Sequence, residues 1–341
     1  MKFKPLRLVY ISFARIFIHC FVPLAAAVAL TGCAGLQVKM GMKLYLDKLP
    51  ISSMQAAQAD GPGIAPGEKS SLIVTMTQPD GTVLVTEGKG HGKVLWKDLM
   101  VTPVILSANK KGVVSLSQDP RISDGKIGHV VVTVPSHPGL RADLDIPVEY
   151  DRQFTANFSG RDGSSGSDGS SGMDGTSGSS GSMDPDHPSA GGDGSNGSDG
   201  SDGGRGGDGE DGPPVLVRVT LRPGSHPLLQ AAVVSRGLGK LFLVDPQGGT
   251  LTVRDDGGSG GSGGKGGRGG RGGSGGMGSP SGSSGRDGSD GHDGLRGSPG
   301  KGGSITVIYD PQVRPYLNLL KLSNAGGPRP VFKEQAMGPL W

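Results

Sequence analysis

The chain has 341 residues, and 65 are glycine, about 19% where roughly 7% is usual. Aromatic residues are scarce, with 8 Phe, 5 Tyr and 2 Trp, and 34 Lys and Arg stand against 31 Asp and Glu, a formal net charge of +3. This composition excludes one close-packed enzyme domain over the whole length, because long stretches lack the apolar side chains a core requires.

Residues 1–32 read as an export signal. Lys2, Lys4, Arg7 and Arg15 precede or open an apolar stretch from Ile16 to Leu30, with no acidic residue among them. The stretch falls short of the roughly 20 apolar residues that a membrane-spanning helix needs, and small residues follow it. Leu30-Thr31-Gly32-Cys33 closely resembles the lipobox of bacterial lipoproteins. The resemblance implies cleavage before Cys33 and covalent lipid on its sulfur. In the sorting rule of enteric lipoproteins, which the resemblance brings with it, Ala34 rather than aspartate after the cysteine implies the outer membrane. A triacylated cysteine meets the need for more than one acyl chain in stable anchoring. Removing the signal also removes Cys20, so no disulfide within the mature chain is expected. It removes four basic residues too, leaving 30 bases against 31 acids, or −1. A charge so near zero gives no footing for nucleic-acid binding.

Composition divides the rest. Residues 33–158 are expected to form a β-sandwich-like domain. Leu36 to Leu46 alternate with polar residues and predict a strand. Further strands are predicted at Leu72–Thr77, Thr82–Thr86, Val101–Ser107, Val113–Gln118, Val130–Val134, Leu144–Tyr150 and Gln153–Phe158. Gln78-Pro79-Asp80-Gly81 and Ala108–Gly112 mark hairpin turns. Residues 214–256 and 305–341 read as two halves of a second β module, with strands at Val215–Leu221, Leu229–Val234, Leu241–Val244, Thr250–Arg254, Ile305–Tyr309 and Leu317–Leu322. The expected class is all-β.

Two glycine tracts, 159–213 and 257–304, keep a period of three. Gly160 to Gly181 and Gly191 to Gly212 hold phase on either side of Ser182–Ala190; from Gly258 to Gly303 only Ser279 departs from it. Period three means a helix of polyproline II type with one bare stripe, along which backbones approach closely. Three readings stand open. One is a collagen-like triple helix, opposed by the shortage of proline. The second is a polyglycine-II-like bundle within one chain. Gly300-Lys301-Gly302-Gly303-Ser304-Ile305-Thr306-Val307, followed by Asp310 and Leu317, resembles the join between glycine tract and strand in the Obg GTPases, which implies such a bundle. No Gly-x-x-x-x-Gly-Lys-Ser/Thr motif accompanies it, so no GTPase activity is implied. The tracts carry net charges of −9 and +3, which suits side-by-side packing by opposite charge. The third reading is a disordered, low-complexity spacer.

Catalytic signatures are missing. The histidines are scattered, and His137, His187 and His226 each precede proline in expected turns. Gly257-Gly258-Ser259-Gly260-Gly261 fits a nucleophile-elbow pattern but lies in low-complexity sequence without a strand-to-helix turn. Gly203–Asp208 resembles half of a calcium-binding RTX repeat, with Glu210 where an apolar residue belongs, so calcium is a secondary expectation. Trp341 is expected to pack. No catalytic residue, metal ligand or cofactor is assigned. The sequence reads as a lipid-anchored envelope protein with a structural or surface-interaction role. Its partners would be the membrane and an envelope polysaccharide or surface protein, with the oligomeric state open.

Overall fold

A computed structural model describes residues 40–224 and 226–341. The signal, the lipobox Leu30, Thr31 and Gly32, Cys33 and the first residues of the strand expected at Leu36–Leu46 lie outside the described residues. The fold is all-β. It divides into two compact units between Glu149 and Tyr150.

The first unit holds β1 (Ser53–Gln58), β2 (Lys69–Thr77), β3 (Val83–Val85), β4 (Met100–Val104), β5 (Leu106–Ala108), β6 (Val113–Leu116), β7 (Gly128–Thr133) and β8 (Arg141–Ile146). One antiparallel sheet runs β1-β2-β6-β5 with β3 also on β2, and a second runs β4-β7-β8. Period two sets the core: Ser70, Leu72, Val74 and Met76 of β2 face inward, as do Val130 and Val132 of β7. They pack with Leu46, Ile64, Val94, Trp96, Val114 and Ile146.

The β2–β3 hairpin turns on Gln78–Gly81, with Gly81 at positive φ and the Asp80 carboxylate accepting from the Thr82 N–H at 2.9 Å. The second predicted hairpin is narrower than expected. Residues 101–107 do not form one strand: Ile105 adopts φ +58°, and the chain passes from one sheet (β4) to the other (β5) at that residue. The strand expected over Leu36–Leu46 is corrected in its described part. Gly41 takes φ +70°, which breaks the extended backbone. Leu44 makes only a single bridge, to Val94, and Leu46 opens a 3-10 turn, its N–H donating to the Asp98 carboxylate.

The second unit holds β9 (Gln153–Asn157), β10 (Val215–Arg222), β11 (Leu228–Ser235), β12 (Leu238–Val244), β13 (Thr250–Arg254), β14 (Ile305–Tyr309), β15 (Leu320–Ser323) and β16 (Val331–Glu334). One sheet is ordered β12-β11-β10-β14-β16, the other β15-β13-β9. Gln153–Asn157, which composition attached to the first block, pair in parallel with Thr250–Arg254 of this unit. Asp245–Gly249 form the expected turn, but the strands on either side enter different sheets. Phe154 and Phe242 meet with ring centroids 6.2 Å apart, and Val217, Val219, Leu229, Leu251 and Val307 are buried in the same unit.

Parallel strands need long crossovers, usually helices. Here the crossover from β9 to its parallel partner β13 contains the first glycine tract, and that from β10 to its parallel partner β14 contains the second.

Candidate functional site: the glycine-helix bundle

Each tract folds back once, giving four extended helices: PG1 (159–182), PG2 (190–213), PG3 (256–278) and PG4 (281–304). The two breaks in glycine phase are the two turns. The tracts are therefore ordered within one chain, bonded to one another as the bundle reading expects.

Backbone bonds join the helices at every third residue. PG1 donates to PG3 in parallel, from Gly163 N–H to Ser259 O at 2.8 Å and onward to Gly178 and Ser274. PG2 donates antiparallel to PG1 (Gly204 to Ser167, 2.7 Å) and parallel to PG4 (Gly203 to His292, 2.8 Å). PG3 donates to PG2 (Gly264 to Gly204, 2.9 Å) and accepts from PG4 (Gly294 to Gly264, 2.8 Å). PG2 and PG3 thus form an inner pair, each bonded to the other three helices. At 3.1 Å per residue, the 21 steps from Gly160 to Gly181 span about 65 Å.

The glycine pattern follows from this arrangement. PG1 and PG4 need one bare stripe, and each has one. PG3 touches three neighbours, and its Gly-Gly-X triplets supply two. A Cβ at Gly264 would overlap the Ser167 carbonyl on PG1, and one at Gly263 the Gly294 carbonyl on PG4. Its third stripe (Ser259, Ser262, Lys265, Arg268, Arg271, Ser274) is exposed. PG2 places serines toward PG1, where the Oγ atoms of Ser195, Ser198 and Ser201 accept from the N–H groups of Thr176, Met173 and Ser170.

The acidic residues are the feature that sequence reasoning misread. Those of PG1 and PG2 do meet the basic tract, but at its backbone N–H groups and not at its charged side chains. The aspartates of PG1, PG2 and PG4 each cap a backbone N–H of a neighbouring helix. Asp162, Asp168 and Asp174 of PG1 accept from Ser259, Lys265 and Arg271. Asp193, Asn196, Asp199, Asp202, Asp208 and Asp211 of PG2 accept from Ser283, Arg286, Ser289, His292, Ser298 and Lys301 of PG4. Asp287, Asp290 and Asp293 of PG4 accept from Gly272, Gly269 and Gly266 of PG3. Arg205 interrupts the PG2 row and pairs instead with Asp208 at 2.8 Å. The recurrence of Asp, Asn or Ser at every third position carried this signal, since all three offer a short side-chain acceptor. Asp199→Ala is expected to cost about 1 kcal/mol and to speed exchange of the Ser289 amide, while Asp199→Asn keeps both near wild type. Denaturant titration with amide exchange reads the difference.

Sheet register passes unbroken into the bundle. β9 and β13 pair at an offset of 97 residues, and Asp162 meets Ser259 at the same offset. β10 and β14 pair at an offset of 90, as do Asp199 and Ser289. At the far end, Gly181 N–H donates to Met277 O (2.6 Å) and Ser279 N–H to Ser189 O (3.0 Å), so the two turns abut. That tip exposes Met183 and Met277.

At the base, two adjacent carboxyls contrast. Asp256 accepts from the Ala325 N–H and the Ser323 hydroxyl, both at 2.8 Å, and the Ala325 bond leads in holding its pKa below the usual carboxylate range. Asp255 is fully buried with neither carboxyl oxygen hydrogen-bonded. Burial, with the Asp256 charge second, pushes it up to about 7.

The histidines His137 and His226 have structural partners. His137 Nε2 lies 2.8 Å from Leu49 O, and His226 Nε2 2.7 Å from Asp245. Ser259 belongs to the exposed row of PG3, on extended chain and not on a strand-to-helix turn. In the first unit His129 sits between Asp145 (2.7 Å) and Asp143 (3.2 Å), and its pKa is raised, chiefly by the Asp145 bond. A shallow cavity of about 260 Å³ is lined by Leu44, Val83–Val85 and Gly90–Val94. Among the described residues no group of three or more His, Cys, Asp or Glu side chains is placed to hold a metal ion, and no helix is long and apolar enough to cross a membrane. No protein-family model, curated protein or solved structure matches the chain.

Proposed function

We propose that the protein is a lipid-anchored lipoprotein of the cell envelope, in the outer membrane, with a structural or surface-interaction role and no catalytic activity. The observation that carries this reading is the bundle. Four backbones zippered at every third residue make a stiff element about 65 Å long, with two turns displayed at its end. A bare stripe leaves no room for a substrate cleft inside, so the bundle serves as a rod that presents surface. Its partner would be an envelope polysaccharide or a surface protein, met through the tip around Met183 and Met277 or through the exposed rows.

Anchoring is tested by Cys33→Ala. The variant is expected to accumulate as an uncleaved precursor with no incorporation of labelled fatty acid. Incorporation at the wild-type level would refute the anchor. The interaction role is tested by binding of purified envelope polysaccharide and surface proteins to wild type and to a variant in which Ser182–Ala190 is shortened. Turnover of envelope polymers by the wild type would overturn the non-catalytic reading.

Calcium binding is the second reading. Along one glycine helix, carboxylates three residues apart are separated by about 9 Å. Calcium gathers six to eight oxygens at 2.3–2.6 Å, and the aspartates of PG1, PG2 and PG4, Asp208 among them, already accept a backbone N–H. This favours the polysaccharide version over the calcium version; a rise in melting temperature on adding calcium would reverse that preference.

A further inference from the structure

Four glycine helices enter or leave the β module of the second unit at one level, and Asp255 lies there. It is the first residue after β13. Its N–H donates to Ser323 O at 2.7 Å and its carbonyl accepts from Gly303 N–H at 2.9 Å. Its side chain fills the gap between the end of PG2 and the end of PG4. A Cβ added at Gly303 would strike one carboxyl oxygen, and one added at Gly212 would crowd the other. The carboxyl is wholly buried and has no hydrogen-bond partner.

We propose that Asp255 is a protonation-controlled catch at the root of the bundle. Neutral, the carboxyl fits between the Gly212 and Gly303 backbones. Ionised, it needs solvation that the closed root does not provide, and the root loosens so that water enters between β13 and the ends of PG2 and PG4.

The surroundings agree with that assignment. Arg236, in the β11–β12 turn, is the base whose charge favours ionisation of Asp255, and Asp256 is the acid that opposes it. Arg254 pairs with Asp256 at 3.3 Å. On PG2 the Asp211 carboxylate is engaged by the Lys301 N–H of PG4 at 2.7 Å. From the 323–327 loop, Asn324 directs its amide to Gly303 O and Pro328 O. None of these groups donates to Asp255.

The sign follows from proton linkage. A carboxyl that holds its proton in the closed state but loses it on opening stabilises closure at low pH, and this advantage falls as pH rises from the ordinary Asp range toward about 7. Above that it is flat.

The test is amide exchange on the purified full chain between pH 5 and pH 8, corrected for intrinsic rates, read at Gly212, Gly302, Gly303 and Asp255. With a carboxyl near 7 when closed and near 3.8 when open, the opening constant is expected to rise about a hundred-fold over that range. In Asp255→Asn the same amides should lose this dependence, while the far-end amides of Gly178 and Gly276 show none in either protein. Pre-existing ionisation is checked independently by the carboxyl stretch of Asp255 in infrared difference spectra between wild type and Asp255→Asn. A protonated band at pH 5 that vanishes by pH 8 supports the catch, even if the variant folds poorly. A carboxylate band at pH 5, or root protection that does not change with pH in the wild type, would overturn it.

Discussion

Gly264→Ala is expected to unravel the bundle around its inner pair. Gly264 donates to Gly204 on PG2 and accepts from Gly294 on PG4, and its Cα lies against Ser167 on PG1. A methyl group there meets a carbonyl oxygen and the Asp168 N–H, which are backbone atoms and cannot rotate away. Overpacking in an ordinary core costs about 1–3 kcal/mol, and there side chains can shift. In this lattice a displaced helix breaks bonds to two others, so a loss of at least about 3 kcal/mol is expected. Ser262→Ala is the control. Ser262 lies two residues away on the exposed stripe, where the change removes only an Oγ contact to Ser165, and an effect within about 0.5 kcal/mol is expected. Thermal denaturation with amide exchange in PG1 to PG4 separates the two. Equal stability for both variants would mean that the helices do not pack as described.

Deletions test the same lattice in a second way. Removing Lys265 alone rotates the rest of PG3 by a third of a turn and swings Arg268 and Arg271 toward the neighbouring helices. A drop in melting temperature of about 10 °C, with protease cleavage beyond Gly264, is expected. Removing one matched triplet from each helix (166–168, 203–205, 262–264 and 292–294) should be far milder. It takes out one layer and leaves the pairings on either side in register, because the offsets of the remaining partners agree. The bundle should then be about 9 Å shorter with its exchange pattern otherwise kept. X-ray scattering of the two deletion variants measures both outcomes. A matched deletion as disruptive as the single one would sink the register argument.

The period of three, and its interruptions at Ser182–Ala190 and around Ser279, were legible from the residues. What they left open was the partner. A bare stripe tells that some backbone approaches closely, without telling whether it belongs to the same chain, another chain or none. The doubled glycines of 257–276 held more than was drawn from them, since two bare stripes out of three mark a helix with neighbours on most sides. The aspartates misled because net charge explained the packing of the two tracts by opposite charge, whereas short acceptors at fixed phase were answering unsatisfied N–H groups. In the β units, turn chemistry placed Gln78–Gly81 correctly. Alternation failed over Met40–Leu46, the described part of that segment, because a glycine at positive φ counts as one more polar residue in a pattern. It failed again at Ile105, where a β-branched residue in a left-handed conformation splits one apolar run between two sheets. The union of Gln153–Asn157 with Thr250–Arg254 across 97 residues has no local signature. The lipobox is the one assigned site that rests on sequence alone, and Cys33 stands outside the described residues.

The glycine N–H groups of PG1 find their acceptors 96 residues further along the chain. A nascent polypeptide therefore finishes its first tract long before the strands that complete it exist. In that interval only the PG1–PG2 hairpin can close, and half of its glycine ladder faces water. Such non-local closure is slow, and bare, unsatisfied backbone invites pairing with other chains. The tract that waits is the one with eleven acidic residues against two basic ones. The same aspartates that later cap the lattice give the unfinished hairpin a mutual repulsion, so the order in which the two tracts are synthesised matters: the repelling one comes first, and the nearly bare, basic one arrives when its partners are already in place.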